Sequence, residues 1–91
     1  MLNASAATRT GQVCVRFWAA ARDAAGGAQD WVPAGHLDDV LATLKERYGE
    51  QMAHLLAVSA LLVDGERISP DASLDLPTGA VLEVLPPFAG G

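Results

Sequence analysis

The residues best placed to do chemistry lie at the end of the chain, Leu85-Pro86-Pro87-Phe88-Ala89-Gly90-Gly91. Two prolines cannot donate to a sheet ladder, so they end any strand that precedes them. They also favour an extended polyproline conformation. From Pro86 onward six residues span at most about 20 Å, enough to hold a terminal carboxylate clear of a folded body. Gly90 and Gly91 carry no side chain, so this end is thin enough to thread a narrow channel. The carbonyl carbon of Gly91 is open to a nucleophile from several directions. A free carboxylate is unreactive until something activates it, usually as an acyl-adenylate. Two terminal glycines fall together by chance in roughly one chain in 200 at ordinary glycine usage.

Other constellations are weak. His36 and His54 are the only histidines, and neither has a cysteine or second histidine at ligand spacing. His36 opens a helix, where a capping or solvated role is expected. Cys14, the only cysteine, rules out an intrachain disulfide and a cysteine-rich zinc site. Only Arg16 lies near enough in sequence to activate it, so a packed, idle thiol is expected. Asp38 and Asp39 suit the start of a helix, and Asp64 suits a turn. The chain has no Gly-Lys-Ser/Thr phosphate loop and no Gly-x-Gly-x-x-Gly. No bound cofactor or metal is expected. ATP would be used by a separate activating enzyme.

The elements that must position this end read as follows. Residues 13–18 alternate Val13, Val15 and Phe17 with Cys14, Arg16 and Trp18, a strand pattern. Residues 19–25 form a short alanine-rich helix closed by Gly26-Gly27. Residues 29–32 read as a second strand. Leu37, Val40, Leu41, Leu44 and Tyr48 share one face of a helix over 37–48. Gly49 stands where a left-handed cap is expected. Residues 51–57 read as a short helical turn, and residues 58–63 as an apolar strand that leaves apolar surface exposed. Asp64-Gly65 predicts a tight hairpin, returning through 66–68. Residues 80–85 form the last strand. One helix cannot cover both faces of a parallel sheet. The economical packing is an α+β β-grasp, or ubiquitin-like, fold: a mixed five-stranded sheet on one main helix.

Composition narrows the partners. With 91 residues, one domain is expected over 13–85, preceded by a leader over 1–12 and followed by a tail over 86–91. A domain of this size leaves little room for an internal catalytic cavity. Half the residues (51%) are hydrophobic and 19% are charged, so the chain is globular. Its net charge of −5, with six scattered basic residues, is the wrong sign for a phosphate backbone or an anionic membrane surface. No apolar run is long enough to span a membrane, and residues 1–12 lack the apolar core of a secretory signal. The expected location is cytoplasmic.

Three segments resemble the small subunit of molybdopterin synthase, within the ubiquitin-like sulfur carriers. They are Val15-Arg16-Phe17-Trp18-Ala19-Ala20-Ala21-Arg22-Asp23-Ala24-Ala25-Gly26, Leu76-Pro77-Thr78-Gly79-Ala80-Val81-Leu82-Glu83-Val84, and the ending Pro86-Pro87-Phe88-Ala89-Gly90-Gly91. The ending is the specific part. The likeness implies a non-catalytic carrier. An adenylyltransferase of the ubiquitin-activating type would adenylate Gly91, and a sulfur-donating protein would supply sulfur to make a thiocarboxylate. The tail would then enter the synthase's large subunit, in a heterotetramer, and give sulfur to a cyclic pyranopterin precursor. Gly90 would permit passage, and Pro86, Pro87, Phe88 and Ala89 would line the docking surface. Carriers for thiamine or cysteine synthesis, a conjugated modifier, and a ubiquitin-like module that is never activated remain alternatives. The leader has no place in the family pattern.

Overall fold

The computed structural model describes residues 9–87. The expected leader therefore lies mostly outside the described residues, as do Phe88, Ala89, Gly90 and Gly91. Ten elements follow in order. They are β1 (Gln12–Phe17), α1 (Ala20–Ala25), β2 (Gln29–Pro33), β3 (Gly35–His36), α2 (Leu37–Tyr48), α3 (Glu50–Val58), β4 (Ala60–Val63), β5 (Glu66–Ile68), β6 (Asp75–Leu76) and β7 (Val81–Leu85).

Five strands form one sheet in the order β2-β1-β7-β4-β5, and β3 and β6 make a separate two-stranded clip. The β1–β7 pair is parallel, while β1–β2, β4–β7 and β4–β5 are antiparallel. The sheet is therefore mixed, and the fold is the β-grasp arrangement. Because side chains alternate along a strand, Val13, Val15 and Phe17 face inward with Val32, Leu61, Leu82 and Val84, all buried. Against them α2 buries Leu37, Val40, Leu41 and Leu44. The ring of Tyr48, at the end of α2, meets Phe17 edge-on with centroids 5.7 Å apart.

Several boundaries differ from the sequence expectation. The segment over 51–57 belongs to a full third helix, α3, which buries Met52 and Leu56 beside α2. Val58, expected to begin a strand, ends this helix with its side chain 54% exposed. Gly49 has φ +85° as required of a glycine, but its ψ of −162° is not the left-handed helical value. The chain turns there directly from α2 into α3, so one residue both ends and begins a helix. The fold also starts before Val13. Gly11 donates its N–H to the Thr78 hydroxyl at 2.9 Å, and the Arg9 guanidinium lies 4.6 Å from the centre of the Trp31 ring.

Candidate functional site: the stem of the C-terminal tail

The strand β7 lies in the interior of the sheet, flanked by β1 and β4. Its register runs to its last residues on both sides: Phe17 pairs with Val84, and Ala60 with Leu85. One further bond, from the Trp18 N–H to the Val84 carbonyl at 3.2 Å, anchors the same end. The ladder stops at the next pair for two independent reasons. Pro86 has no N–H to give. Opposite it, the Ser59 N–H is already spent on the Leu55 carbonyl at the end of α3, 2.8 Å away. The tail therefore leaves from a strand held on both sides.

Of the residues assigned to the tail, Pro86 is buried and Pro87 is exposed. The first proline is thus part of the packed body, and the outward-facing stem starts at Pro87. On the outer face of the sheet, the register groups Trp18, Leu85 and Ala60 near this end, with Arg16, Glu83, Leu62 and Arg67 in the next row. Trp18, Ala60, Leu62, Val81 and Leu85 are half-buried. The Trp18 indole N–H donates to Glu83 Oε2 at 3.3 Å, and the Arg16 guanidinium sits 5.3 Å from the Trp18 ring centre. The expected apolar surface over 58–63 is therefore split. Val58 shows it at the end of α3, and Leu62 shows it on the outer sheet face.

The other sequence candidates are placed structurally. His36 caps α2, its Nδ1 accepting the Asp38 N–H at 3.3 Å. His54 is exposed on α3. Cys14 is buried on the outer side of β1, across from Trp31. Burial pushes its thiol up, outweighing the pull of the Arg16 and Arg9 charges. No three His, Cys, Asp or Glu side chains among the described residues gather as a metal-binding group. One polar cluster was not foreseen. Asp30 accepts from Arg47 at 2.9 Å and from the Tyr48 hydroxyl, tying β2 to the end of α2. Its members are scattered in sequence, and no motif joins them.

A family model describing the ThiS family matches residues 15–91. The chain belongs to the ThiS family. Its fold is that of ubiquitin-like sulfur carriers, small proteins that are not catalysts themselves. Among solved structures, the small archaeal modifier protein 1 of Methanosarcina acetivorans shares 22% identity at a TM-score of 0.71, over 91% of this chain and 99% of that one. A Pyrococcus furiosus protein named for molybdopterin converting factor subunit 1 shares 23% at a TM-score of 0.70, over 86% and 99%. At these identities the likeness is one of fold. Another similar chain, 27% identical at a TM-score of 0.63 over 88% and 99%, comes from a complex of subunits 1 and 2 of the Helicobacter pylori molybdopterin-converting factor. No curated protein matches the chain. No helix among the described residues is long and apolar enough to cross a membrane.

Proposed function

We propose that the chain is a sulfur carrier of the molybdopterin synthase type, with the carboxylate of Gly91 as its working group. A separate adenylyltransferase spends ATP to join Gly91 to AMP, and a sulfur-donating protein replaces the AMP to leave a thiocarboxylate. The loaded tail, Phe88, Ala89, Gly90 and Gly91, enters the large subunit of the synthase. There its sulfur passes to a cyclic pyranopterin precursor, and the carrier returns as a carboxylate.

The observation that carries this reading is the run of an interior strand, β7, straight into Pro86 and Pro87 and so toward a side-chain-free ending. A fixed strand and a proline stem give the ending a fixed point of departure from the body. That helps where the end must meet another protein's active site. The Helicobacter pylori relative, found in complex with its second subunit, favours a large-subunit partner for this chain too.

The experiment supplies the thiocarboxylated chain, with the pyranopterin precursor, to the large subunit of a bacterial molybdopterin synthase. Dithiolene formed with loss of sulfur from Gly91 is expected. Sulfur that stays on Gly91 here, but is consumed by a thiazole-forming or cysteine-forming enzyme, moves the chain to one of those pathways.

A further inference from the structure

On the helical side of the molecule, Asp38, Leu41 and Lys45 fall on one side of α2, beside α3. A groove of about 240 Å³ lies there. Leu41 and Leu56 form its floor, Ala53 and Ala57 line it, and Asp38 and Lys45 stand exposed on its rim. Ala57 leads directly into Val58, which is 54% exposed and is the one large hydrophobic left open among the described residues. Because α2 and α3 pack on the inner face of the sheet, this surface looks away from the outer face around Trp18, Leu62 and Leu85.

The two rim charges are unmatched within the chain. Asp38 and Lys45 stand about 10.5 Å apart along the helix axis, too far to pair with each other. Lys45 takes part in no ion pair among the described residues. His36 lies 3.9 Å from the Asp38 carboxylate, but its Nδ1 accepts the Asp38 N–H and so carries no proton there. Along this side of α2 the order is acid, Leu41, exposed Ala42, base. Reversing the direction exchanges the two charges and exchanges the large residue with the small one. Such a stripe is complementary to itself. In an antiparallel pair of α2 helices, Asp38 of each copy meets Lys45 of the other, and Leu41 meets Ala42, about one two-fold axis. The small side chain of Ala42 lets the helices approach closely. Asp39 and Glu46, on the neighbouring stripe of α2, and the net charge of −5 oppose association. The Asp38–Lys45 pairs therefore fix the orientation, and apolar contact must supply the affinity.

We propose that the helical side of this chain binds a second copy of itself. Two copies pair antiparallel about a two-fold axis at Leu41 and Ala42, with two Asp38–Lys45 ion pairs and with Val58 of each copy covered by the other. Burial of Val58 and of the groove supplies the affinity. Since the contact lies on the helical side, both outer sheet faces stay open in the dimer.

The test is sedimentation velocity on the full chain over a range of concentrations, with Asp38→Lys, with Lys45→Asp, and with these two variants mixed. The native chain is expected to show a reversible monomer–dimer equilibrium. Each single swap sets like charges against each other at both symmetric contacts, so alone it should weaken association at least about tenfold. In the equimolar mixture every contact joins a lysine to an aspartate, and association should return as a heterodimer. Circular dichroism checks that both variants keep the fold. Val58→Ser, at an exposed position, leaves the charges untouched and should weaken association as well. A native chain that stays monomeric up to about 1 mM would overturn the proposal. So would swaps or a Val58→Ser chain that associate like the native one, or a mixture that fails to recover the dimer.

Discussion

Asp30 gathers more side-chain contacts than any other acid among the described residues. Its Oδ1 accepts the Trp31 N–H at 2.8 Å, and its Oδ2 takes the Arg47 guanidinium and the Tyr48 hydroxyl. Burial alone would raise its pKa, but the Tyr48, Trp31 and Arg47 donors outweigh that and hold it below the ordinary value. Because the folded value lies below the unfolded one, its stabilisation is full above the ordinary 3.8 and is lost as pH falls through the folded value. Tyr48 behaves oppositely: burial, then bonding to Asp30, pushes it up to about 12. That contribution is full below the ordinary 10 and is lost as pH rises through about 12. Asp30→Asn should cost about 1 kcal/mol at neutral pH, given partial exposure, and should flatten the acid limb of stability. Urea melts across pH check this, and an unchanged acid limb would contradict it. Cys14, buried and with its thiol pushed up, should react with a thiol reagent far more slowly in the folded chain than in denaturant. Equal rates would show that the thiol is accessible.

At the scale of elements, the Asp64-Gly65 turn makes the sharpest case. Asp64 and Gly65 both take positive φ, +50° and +86°, and Asp64 Oδ1 accepts the Val81 N–H at 2.9 Å. A Cβ on Gly65 would meet nothing within 4 Å, so Gly65→Ala tests backbone strain alone. It should cost about 1–2 kcal/mol, read as a fall in the thermal midpoint of about 4–8 °C per kcal/mol for a domain of this size. This turn was legible in the sequence because a dipeptide specifies it locally. The same holds for α2, whose bounds, Leu37–Tyr48, match the three-and-four spacing of its apolar face. Where the pattern is not local, reading fails. The β3–β6 clip is two residues a side, too short for any periodicity, and it pairs Gly35 with Leu76 across forty residues. Val58 looks like a strand residue, yet α3 carries it on an exposed turn. Ser59 gave no hint of being a buried, unpartnered hydroxyl.

For the molecule as a whole, the fold separates two tasks. The mixed sheet and helices α2 and α3 make a body whose core takes Leu82 and Val84 from the last strand, with Pro87 exposed beyond them. The tail, by contrast, is joined to that body through one interior strand and one buried proline. Loss of Gly91 should therefore leave the thermal midpoint unchanged within error while abolishing sulfur loading. A large fall in that midpoint would mean that the end is part of the stability of the body. The end of the last strand was legible in the sequence, since Pro86 has no N–H to continue the ladder. A large-subunit partner was also expected from the sequence resemblance, and the Helicobacter pylori complex supports it. The outer sheet face around Trp18, Leu62 and Leu85 was not legible, because strands distant in sequence assemble it.

The most direct measurement is the intact mass of the chain after incubation with an adenylyltransferase of the ubiquitin-activating type, ATP and a sulfur donor, beside a chain carrying one extra residue after Gly91. The account predicts exchange of one oxygen for one sulfur, localised to Gly91, in the first chain and none in the second. Sulfur acquired equally by the extended chain, or at any residue other than Gly91, would contradict it.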